Sequence, residues 1–303
     1  MNSRNQIALF LALIICIGCQ SIQEESQIES TAIENSTDPN LLPVDKDDFY
    51  KVETINLTTL EGNSGIEKQA MMAKLKVDYD YISESDNWTE EHSKYFYFLD
   101  LDVDGDLDVI YDGWSGGEPV CIRIHLNIEG HFKQVFEAYQ SITKIEFNKE
   151  GLSEIAINDP GCCTAYINFD EVWTVSAAKD SLNFKLKRRV AVIAGNTAPD
   201  NLFKTSKRFT VDQSKYYLRL HPKIDTVDVW HDGFPFQDNI IAEYTKGAAG
   251  TALGQTIDST GRIWWYVEMD ADADPISSEF YDIENNPTLL TGWMSSRYLN
   301  EGE

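Results

Sequence analysis

The sequence has few basic residues, few cysteines and few histidines, and each shortage argues against a class of protein. Its 303 residues contain 25 Lys and Arg against 50 Asp and Glu, which gives a formal net charge of −25. This acidic excess argues against binding to nucleic acid, because contacts with phosphate need a basic surface. The five cysteines are too scattered for a small disulfide scaffold or a zinc cluster, and the five histidines have no ligand spacing. An aromatic content of 12% nevertheless argues for a folded chain.

Long hydrophobic runs are also lacking, apart from one at the N-terminus. After Arg4, residues 7–18 form a twelve-residue apolar run, whereas a mature transmembrane helix needs about 20 residues. The run is typical of a secretory signal peptide, which we predict over residues 1–18. It ends in Gly18-Cys19 and resembles the lipobox of bacterial lipoproteins, although Cys16 stands where leucine is usual. The resemblance implies that Cys19 is lipidated and anchors the chain to a membrane. The alternative is an ordinary signal peptide with an incidental cysteine.

Residues 19–48 are predicted to be a disordered acidic tether. They are rich in Ser, Glu, Gln, Asn and Asp without a regular apolar period, so they cannot bury enough apolar surface to offset the entropy of ordering. Gln20 stands where lipoproteins retained in the inner membrane usually have Asp, and this resemblance implies the bacterial outer membrane. Residues 23–25 are similar to the acidic surface-export tags of some lipoproteins. Whether the chain faces the periplasm or the exterior stays open.

From residue 49 onward, the chain is predicted to be all-β. Runs of β-branched, aromatic or alternating apolar residues, separated by short polar turns, occur at 95–99, 120–127, 142–147, 155–157 and 166–169. Gly130 can take the left-handed conformation that a hairpin turn needs. Only residues 66–74 suggest a short helix. We therefore predict an antiparallel β domain, a sandwich or a meander, over residues 49–190 and a linker at 191–206.

The strongest chemical signal is the sequence DLDVDGDLD at residues 100–108, here called the aspartate loop. Five carboxylates this close repel one another unless a cation lies among them, and Ca²⁺ accepts about six to eight oxygen ligands in flexible geometry. The spacing places side chains at positions 1, 3, 5 and 9, a turn glycine at position 6 and the Asp106 carbonyl at position 7. The predicted calcium ligands are Asp100, Asp102, Asp104, Asp106 and Asp108.

The aspartate loop is not an EF-hand, because Tyr111 occupies position 12 and strands flank the loop. Residues 95–113 resemble the calcium loop of FG-GAP and VCBS-type β repeats. The resemblance implies a structural ion that ties a hairpin together and performs no chemistry. A solvated acidic turn without metal is the alternative, and a catalytic metal is disfavoured because no histidine lies nearby in the sequence.

Three cysteines would remain after export to an oxidising compartment, where disulfides persist. A bond between the neighbours Cys162 and Cys163 is disfavoured, since adjacent Cα atoms lie ~3.8 Å apart and disulfides usually span about 4.4–6.8 Å. A bridge from Cys121 to one of the pair would contribute about 4 kcal/mol in the chain-entropy model. Three buried free thiols are the alternative, and nothing in the sequence identifies a base for a cysteine nucleophile.

Residues 207–303 carry the aromatic motifs of a second domain. A turn at residues 258–260 precedes Gly261-Arg262-Ile263-Trp264-Trp265-Tyr266-Val267, and residues 292–294 and 297–299 follow as Gly-Trp-Met and Arg-Tyr-Leu. These segments resemble the bacterial SH3 domain and imply a small, bent antiparallel barrel. Members of that family bind peptides or peptidoglycan in an aromatic groove, which here implies Trp265, Trp293 and Tyr298 as ligand-binding residues. Trp264 replaces Trp265 if the register slips by one residue, and burial of these aromatics in the barrel core is the alternative.

Three functional hypotheses follow from the sequence. The leading one is a non-enzymatic envelope lipoprotein that binds peptide, peptidoglycan or another protein through the SH3-like domain. The second is a hydrolase of cell-wall or glycan material, with carboxylates assembled across loops. The third is an inhibitory or immunity lipoprotein whose acidic surface captures a basic partner.

Overall fold

A computed structural model describes most of the chain beyond residue 37. The described residues are 38–46, 49, 55–57, 60, 65–78, 90–115, 120–158, 167–225, 229–231, 234–278 and 288–302. The predicted signal peptide with Cys19, most of the tether, and the pair Cys162 and Cys163 lie outside them. None of the helices in the described ranges is long and apolar enough to span a bilayer.

Antiparallel β-strands dominate the described residues, which agrees with the all-β prediction. In chain order the strands are β1 Leu41–Pro43, β2 Phe96–Leu99, β3 Asp108–Trp114, β4 Val120–Ile128, β5 His131–Ala138, β6 Ser141–Asn148, β7 Gly151–Asn158, β8 Ile167–Ala178, β9 Ser181–Ile193, β10 Asn201–Val211, β11 Tyr216–Arg219, β12 Val229–His231, β13 Phe234–Phe236, β14 Ile240–Tyr244, β15 Ala249–Ile257, β16 Ile263–Met269, β17 Ser277–Ser278, β18 Leu289–Ser295 and β19 Leu299–Glu301. Short 3-10 helices span Glu90–Tyr95, Gln237–Asn239 and Ser296–Tyr298. The α-helix α1 spans Gly65–Asp78, so the helix predicted at 66–74 is confirmed and is longer than expected.

Strands β2 to β5 form a four-stranded antiparallel sheet whose order follows the chain. Side chains alternate between the two faces of a strand, and both faces of β4 are covered. Ile122 and Ile124 lie in a core shared with β6 to β9. Cys121, on the opposite face, lies in a second core with Met71 and Leu75 of α1. Covering on both sides explains why β4 is buried along most of its length.

The β4–β5 hairpin turns through two residues with positive φ, Glu129 at 51° and Gly130 at 89°. Two positive φ values are the mark of a type I′ turn, whose twist matches that of the flanking strands. The left-handed conformation predicted for Gly130 is therefore confirmed.

Strands β6 to β9 form a second antiparallel meander, which packs on the first sheet. Ile142, Ile155, Val175 and Leu182 belong to the same apolar cluster as Ile122. The two sheets thus share one core, as expected for the predicted sandwich or meander over residues 49–190.

The C-terminal strands, from β10 onward, surround a separate apolar core. Strands β10, β15, β16 and β18 are antiparallel neighbours, and β11, β14, β17 and β19 pair alongside them. Phe209, Leu218, Val267 and Met294 lie in this core and are each at most 1% exposed. The hairpin predicted around residues 258–260 is confirmed, because β15 and β16 pair on either side of it.

The two halves join through one sheet. Strand β18 pairs in parallel with β9, where Leu289 lies opposite Val190 and Leu290 opposite Ala191. Residues 38–303 form one compact unit. The predicted linker at 191–206 is shorter than expected, because β9 continues to Ile193 and β10 begins at Asn201. Ala191 and Ile193 extend β9 because they are buried in the C-terminal core.

Candidate functional site

The aspartate loop connects β2 to β3 at the edge of the shared core. Leu99, which precedes the loop, pairs with Asp108, the last residue of the loop, across the two strands. The loop reverses through Val103 and Gly105, whose φ values are 58° and 95°. A β-branched residue rarely adopts a positive φ, whereas glycine does so without steric cost. The turn glycine predicted at position 6 thus lies where the backbone needs it.

Asp108, the last residue of the loop, is buried inside the protein. Its side chain is 1% exposed and accepts hydrogen bonds from the backbone N–H groups of Leu101 and Asn127, both at 2.8 Å. Burial raises the pKa of Asp108 to about 7, and these two hydrogen bonds oppose that rise. A neighbouring cation would favour the ionised form of such a buried carboxylate.

Asp102 is the second buried carboxylate of the loop, and one of its oxygens has no partner. The residue is 6% exposed, and Oδ2 accepts a 2.6 Å hydrogen bond from the Asp180 backbone N–H. Oδ1 is buried without any hydrogen-bond partner. Burial raises the pKa of Asp102, and the charges of Asp104 and Asp100 add to the rise. An unsatisfied buried charged group costs more than about 1–3 kcal/mol, and a cation beside this oxygen would offset that cost.

The carboxylates form two overlapping clusters that share Asp102. Oxygens of Asp100, Asp102 and Asp108 lie within 4.8 Å of one another, and so do oxygens of Asp102, Asp104 and Asp180. Calcium–oxygen distances are about 2.3–2.6 Å, so oxygens within this limit lie close to the spacing that one shared ion needs. Both clusters consist of hard oxygen donors, which suit Ca²⁺ better than a soft transition metal.

The structure brings four of the five predicted ligands into these clusters. Asp100, Asp102, Asp104 and Asp108 contribute side chains, whereas the Asp106 side chain belongs to neither cluster. The Asp106 backbone N–H donates to Asp104 Oδ1 at 2.8 Å, and the sequence assigned only its carbonyl to the metal. Asp180 was missed, because it follows the loop by more than 70 residues and only the fold brings it near.

The aspartate loop also contacts the second sheet directly. The Leu152 backbone N–H donates to the Leu101 carbonyl at 2.8 Å. At Gly151, where φ is 114°, an added Cβ would lie 2.3 Å from that same carbonyl oxygen. The glycine therefore permits a close approach of β7 to the loop.

The tryptophans predicted to line a ligand groove are buried instead. Trp293 is 0% exposed and Trp265 is 7% exposed. The Trp293 ring lies 5.4 Å from that of Tyr266, edge to face, and its indole N–H donates to the Thr197 carbonyl at 3.0 Å. The predicted groove role of both tryptophans is therefore wrong. Trp264, the alternative in a shifted register, is also buried, at 1% exposed.

Tyr298 differs from these tryptophans because it is 40% exposed. Its ring meets that of Tyr216 edge to face at 6.0 Å, and the Arg297 guanidinium lies 5.4 Å from the ring centre. The Tyr216 hydroxyl donates to the Ser295 carbonyl at 2.5 Å. Two tyrosines and an arginine therefore form an accessible aromatic patch, here called the tyrosine patch.

Cys121 is buried and its thiol is free. It packs in the apolar core between the first sheet and α1, and burial raises its pKa. The possible disulfide from Cys121 to Cys162 or Cys163 stays a prediction. Cys162 and Cys163 themselves lie outside the described residues.

Two further titratable groups in the first sheet have shifted pKa values. Burial lowers the pKa of His125 to about 4, and the charge of Arg123 adds to this effect, so the imidazole is neutral near pH 7. Burial raises the pKa of Asp112 to about 6, although the Ile142 backbone N–H donates to it at 3.2 Å. Neither residue belongs to the carboxylate clusters.

An open cavity of about 510 Å³ lies on the other half of the molecule, beside a register shift in β10. Basic and hydroxyl side chains line much of it, including those of Lys204, Thr205, Ser206, Lys207 and Arg208. The buried carboxyls Asp108 and Asp112 are not among its lining residues.

Comparison with known proteins adds no identification. No family model matches the chain, and no curated protein or solved structure is significantly similar to it.

Proposed function

We propose that this chain is a lipid-anchored binding protein of the bacterial cell envelope, without catalytic activity, whose N-terminal β domain is stabilised by a structural calcium ion. The observation that carries the proposal is the Asp102 carboxylate. It is 94% buried, given its exposed fraction of 6%, it lies in both carboxylate clusters, and its Oδ1 atom has no hydrogen-bond partner.

The role of the ion is structural because of where its ligands lie. Asp100 and Asp108 flank the turn between two paired strands, and Asp108 is held by backbone N–H groups on both of its oxygens. A cation there neutralises charge that would otherwise oppose folding. It also holds the ends of β2 and β3 together, as the resemblance to FG-GAP and VCBS-type loops implies.

Calorimetric titration with CaCl₂ tests the ion directly. The wild-type chain should bind Ca²⁺ in preference to Mg²⁺, because Mg²⁺ demands a smaller and stricter octahedral site. Asp104→Ala should weaken or abolish binding, whereas the matched loop variant Asp106→Asn should keep it. Equal loss in both variants would indicate a diffuse effect of charge instead of a site.

The proposed anchor is Cys19, which the resemblance to the lipobox singles out. Replacing Cys19 by Ala should move the chain from the detergent-extracted fraction to the soluble fraction. Continued extraction by detergent alone would contradict the anchor and leave the calcium proposal untouched.

The tyrosine patch is the surface we propose for binding peptide or peptidoglycan on the SH3-like half. Tyr298 is exposed and lies against Tyr216, and Arg297 offers a charge beside the rings. Exposed aromatic rings next to arginine are frequent anchors at interfaces. The antiparallel strands around the C-terminal core support the SH3-like assignment of this half.

Sedimentation with purified peptidoglycan at several salt concentrations separates this function from the two alternatives. Binding that resists salt supports the tyrosine patch. Release of soluble fragments would instead support a hydrolase, and salt-sensitive capture of a basic protein would support an inhibitor with an acidic surface.

A further inference from the structure

Asp180 occupies the two-residue turn between β8 and β9, far along the chain from the aspartate loop. Its φ of 59° is left-handed, and Ala178 pairs with Ser181 on either side of the turn. The turn belongs to the second sheet, whereas the loop belongs to the first. The Asp180 carboxylate nevertheless lies in a cluster with Asp102 and Asp104, with oxygens within 4.8 Å of one another.

Two observations indicate that the contact of Asp180 with Asp102 and Asp104 is a specific feature of the fold. The Asp180 backbone N–H already fixes Asp102 Oδ2 at 2.6 Å, which brings a third carboxylate toward a pair that repels it. The other oxygen of the same carboxylate, Asp102 Oδ1, is buried without a hydrogen-bond partner. Carboxylates held this close, around an unsatisfied buried oxygen, are stabilised by a cation among them.

We propose that Asp180 is a calcium ligand supplied by the facing sheet, so that the ion links the β2–β3 loop to the β8–β9 turn. This inference rests on the proposed calcium site and assigns it a ligand outside the nine-residue loop. The link complements the hydrogen bond from the Leu152 backbone N–H to the Leu101 carbonyl, which also joins the loop to the second sheet. Calcium then fastens the two layers of the sandwich as well as one hairpin.

The test compares Asp180→Asn with Asp106→Asn in the full chain. Both variants remove one negative charge from the acidic surface, but only Asp180 belongs to a carboxylate cluster. Asparagine tolerates the left-handed conformation at position 180. The substitution also keeps the backbone N–H that donates to Asp102. Titration calorimetry with CaCl₂ should show affinity weakened by about tenfold or more in Asp180→Asn, the size of effect typical when a group supporting a metal site is lost. Asp106→Asn should bind nearly as the wild type does.

Hydrogen exchange of a peptide covering the β8–β9 turn gives a second readout. Calcium should slow exchange at this turn in the wild type and in Asp106→Asn, but much less in Asp180→Asn. Wild-type affinity in Asp180→Asn, or a turn whose exchange ignores calcium in the wild type, would overturn this inference and leave the proposed calcium loop intact. Absence of calcium binding by the wild-type chain would overturn both.

Discussion

The aspartate loop and the tryptophan-rich strands both bury polar atoms, but these atoms differ in whether the chain supplies them with hydrogen-bond partners. Trp264 and Trp293 are covered by other apolar side chains and donate their indole N–H groups, to Asp258 at 2.9 Å and to Thr197 at 3.0 Å. Asp102 is also buried, at 6% exposed, yet one of its oxygens has no hydrogen-bond partner. The chain itself supplies the apolar contacts and the hydrogen-bond acceptor that a buried indole needs. A buried carboxylate needs an opposite charge as well. The aromatic half is therefore expected to be stable without an ion, and the acidic half to depend on one.

The largest expected effect tests the aromatic half. Trp293→Ala should lower the free energy of unfolding by about 3–5 kcal/mol, because it leaves a large cavity at a fully buried position. Urea denaturation measures the loss. Trp114→Ala is the control, since Trp114 is 51% exposed and its loss should cost little. Near-wild-type stability of Trp293→Ala would show that the ring is not part of the core.

Removal of calcium tests the acidic half and should have the next largest effect. A ligand at a hundredfold excess over its Kd stabilises the folded state by about 2.7 kcal/mol. EDTA should therefore lower the melting temperature of the wild type, and Asp104→Ala should melt at the same temperature with or without EDTA. Asp106→Asn should still respond to EDTA. Melting curves that EDTA leaves unchanged in the wild type would mean that the loop is stable without an ion.

Asp112 is a buried carboxyl outside the carboxylate clusters. A proton, and not a cation, can neutralise its charge. Its pKa is raised from 3.8 to about 6 in the folded state, so the folded chain binds more protons than the unfolded chain between these values. The free energy of unfolding should consequently fall as pH rises through this window, by about 2 kcal/mol for this group.

Asp112→Asn should remove that part of the slope, because its amide oxygen can still accept from the Ile142 N–H. Urea denaturation of both chains at pH 4 and pH 7 isolates the difference from other titrating groups. Parallel pH profiles for the two chains would show that Asp112 is not a destabilising charge near neutrality.

The smallest expected effect on stability belongs to the tyrosine patch. Tyr298→Ala should change the free energy of unfolding by about 0.5 kcal/mol or less, since the side chain is 40% exposed. It should nevertheless reduce sedimentation with peptidoglycan. Tyr139→Ala is a matched control on the other half, at 58% exposed, and should sediment as the wild type does. Equal binding by both variants would remove the patch from the proposed function.

Local features of the sequence predicted local features of the fold. Gly130, α1 and the β15–β16 hairpin depend on neighbouring residues, and each was predicted from a short segment. The aspartate loop was recognisable because its candidate ligands follow one another along the chain. Asp180 gave no signal, since its position depends on how two sheets pack.

The tryptophans were misjudged because strand alternation does not reveal what covers each face. Residues 264–267 of β16 are all buried, since apolar clusters lie on both sides of this strand. Trp265 faces the main C-terminal core, and Trp264 faces a smaller cluster with Trp293. A strand covered on both sides offers no groove, whatever its motif resembles.

The parallel contact between β9 and β18 makes the two halves poor building blocks for protein engineering. A cut at residues 194–200 would strip Leu289 and Leu290 from the edge of β9, and Val190 and Ala191 from the edge of β18. Uncovered apolar strand edges recruit other chains. Truncations or fusions that treat the halves as interchangeable modules should therefore aggregate, and a transplant of either half needs its partner strand carried with it.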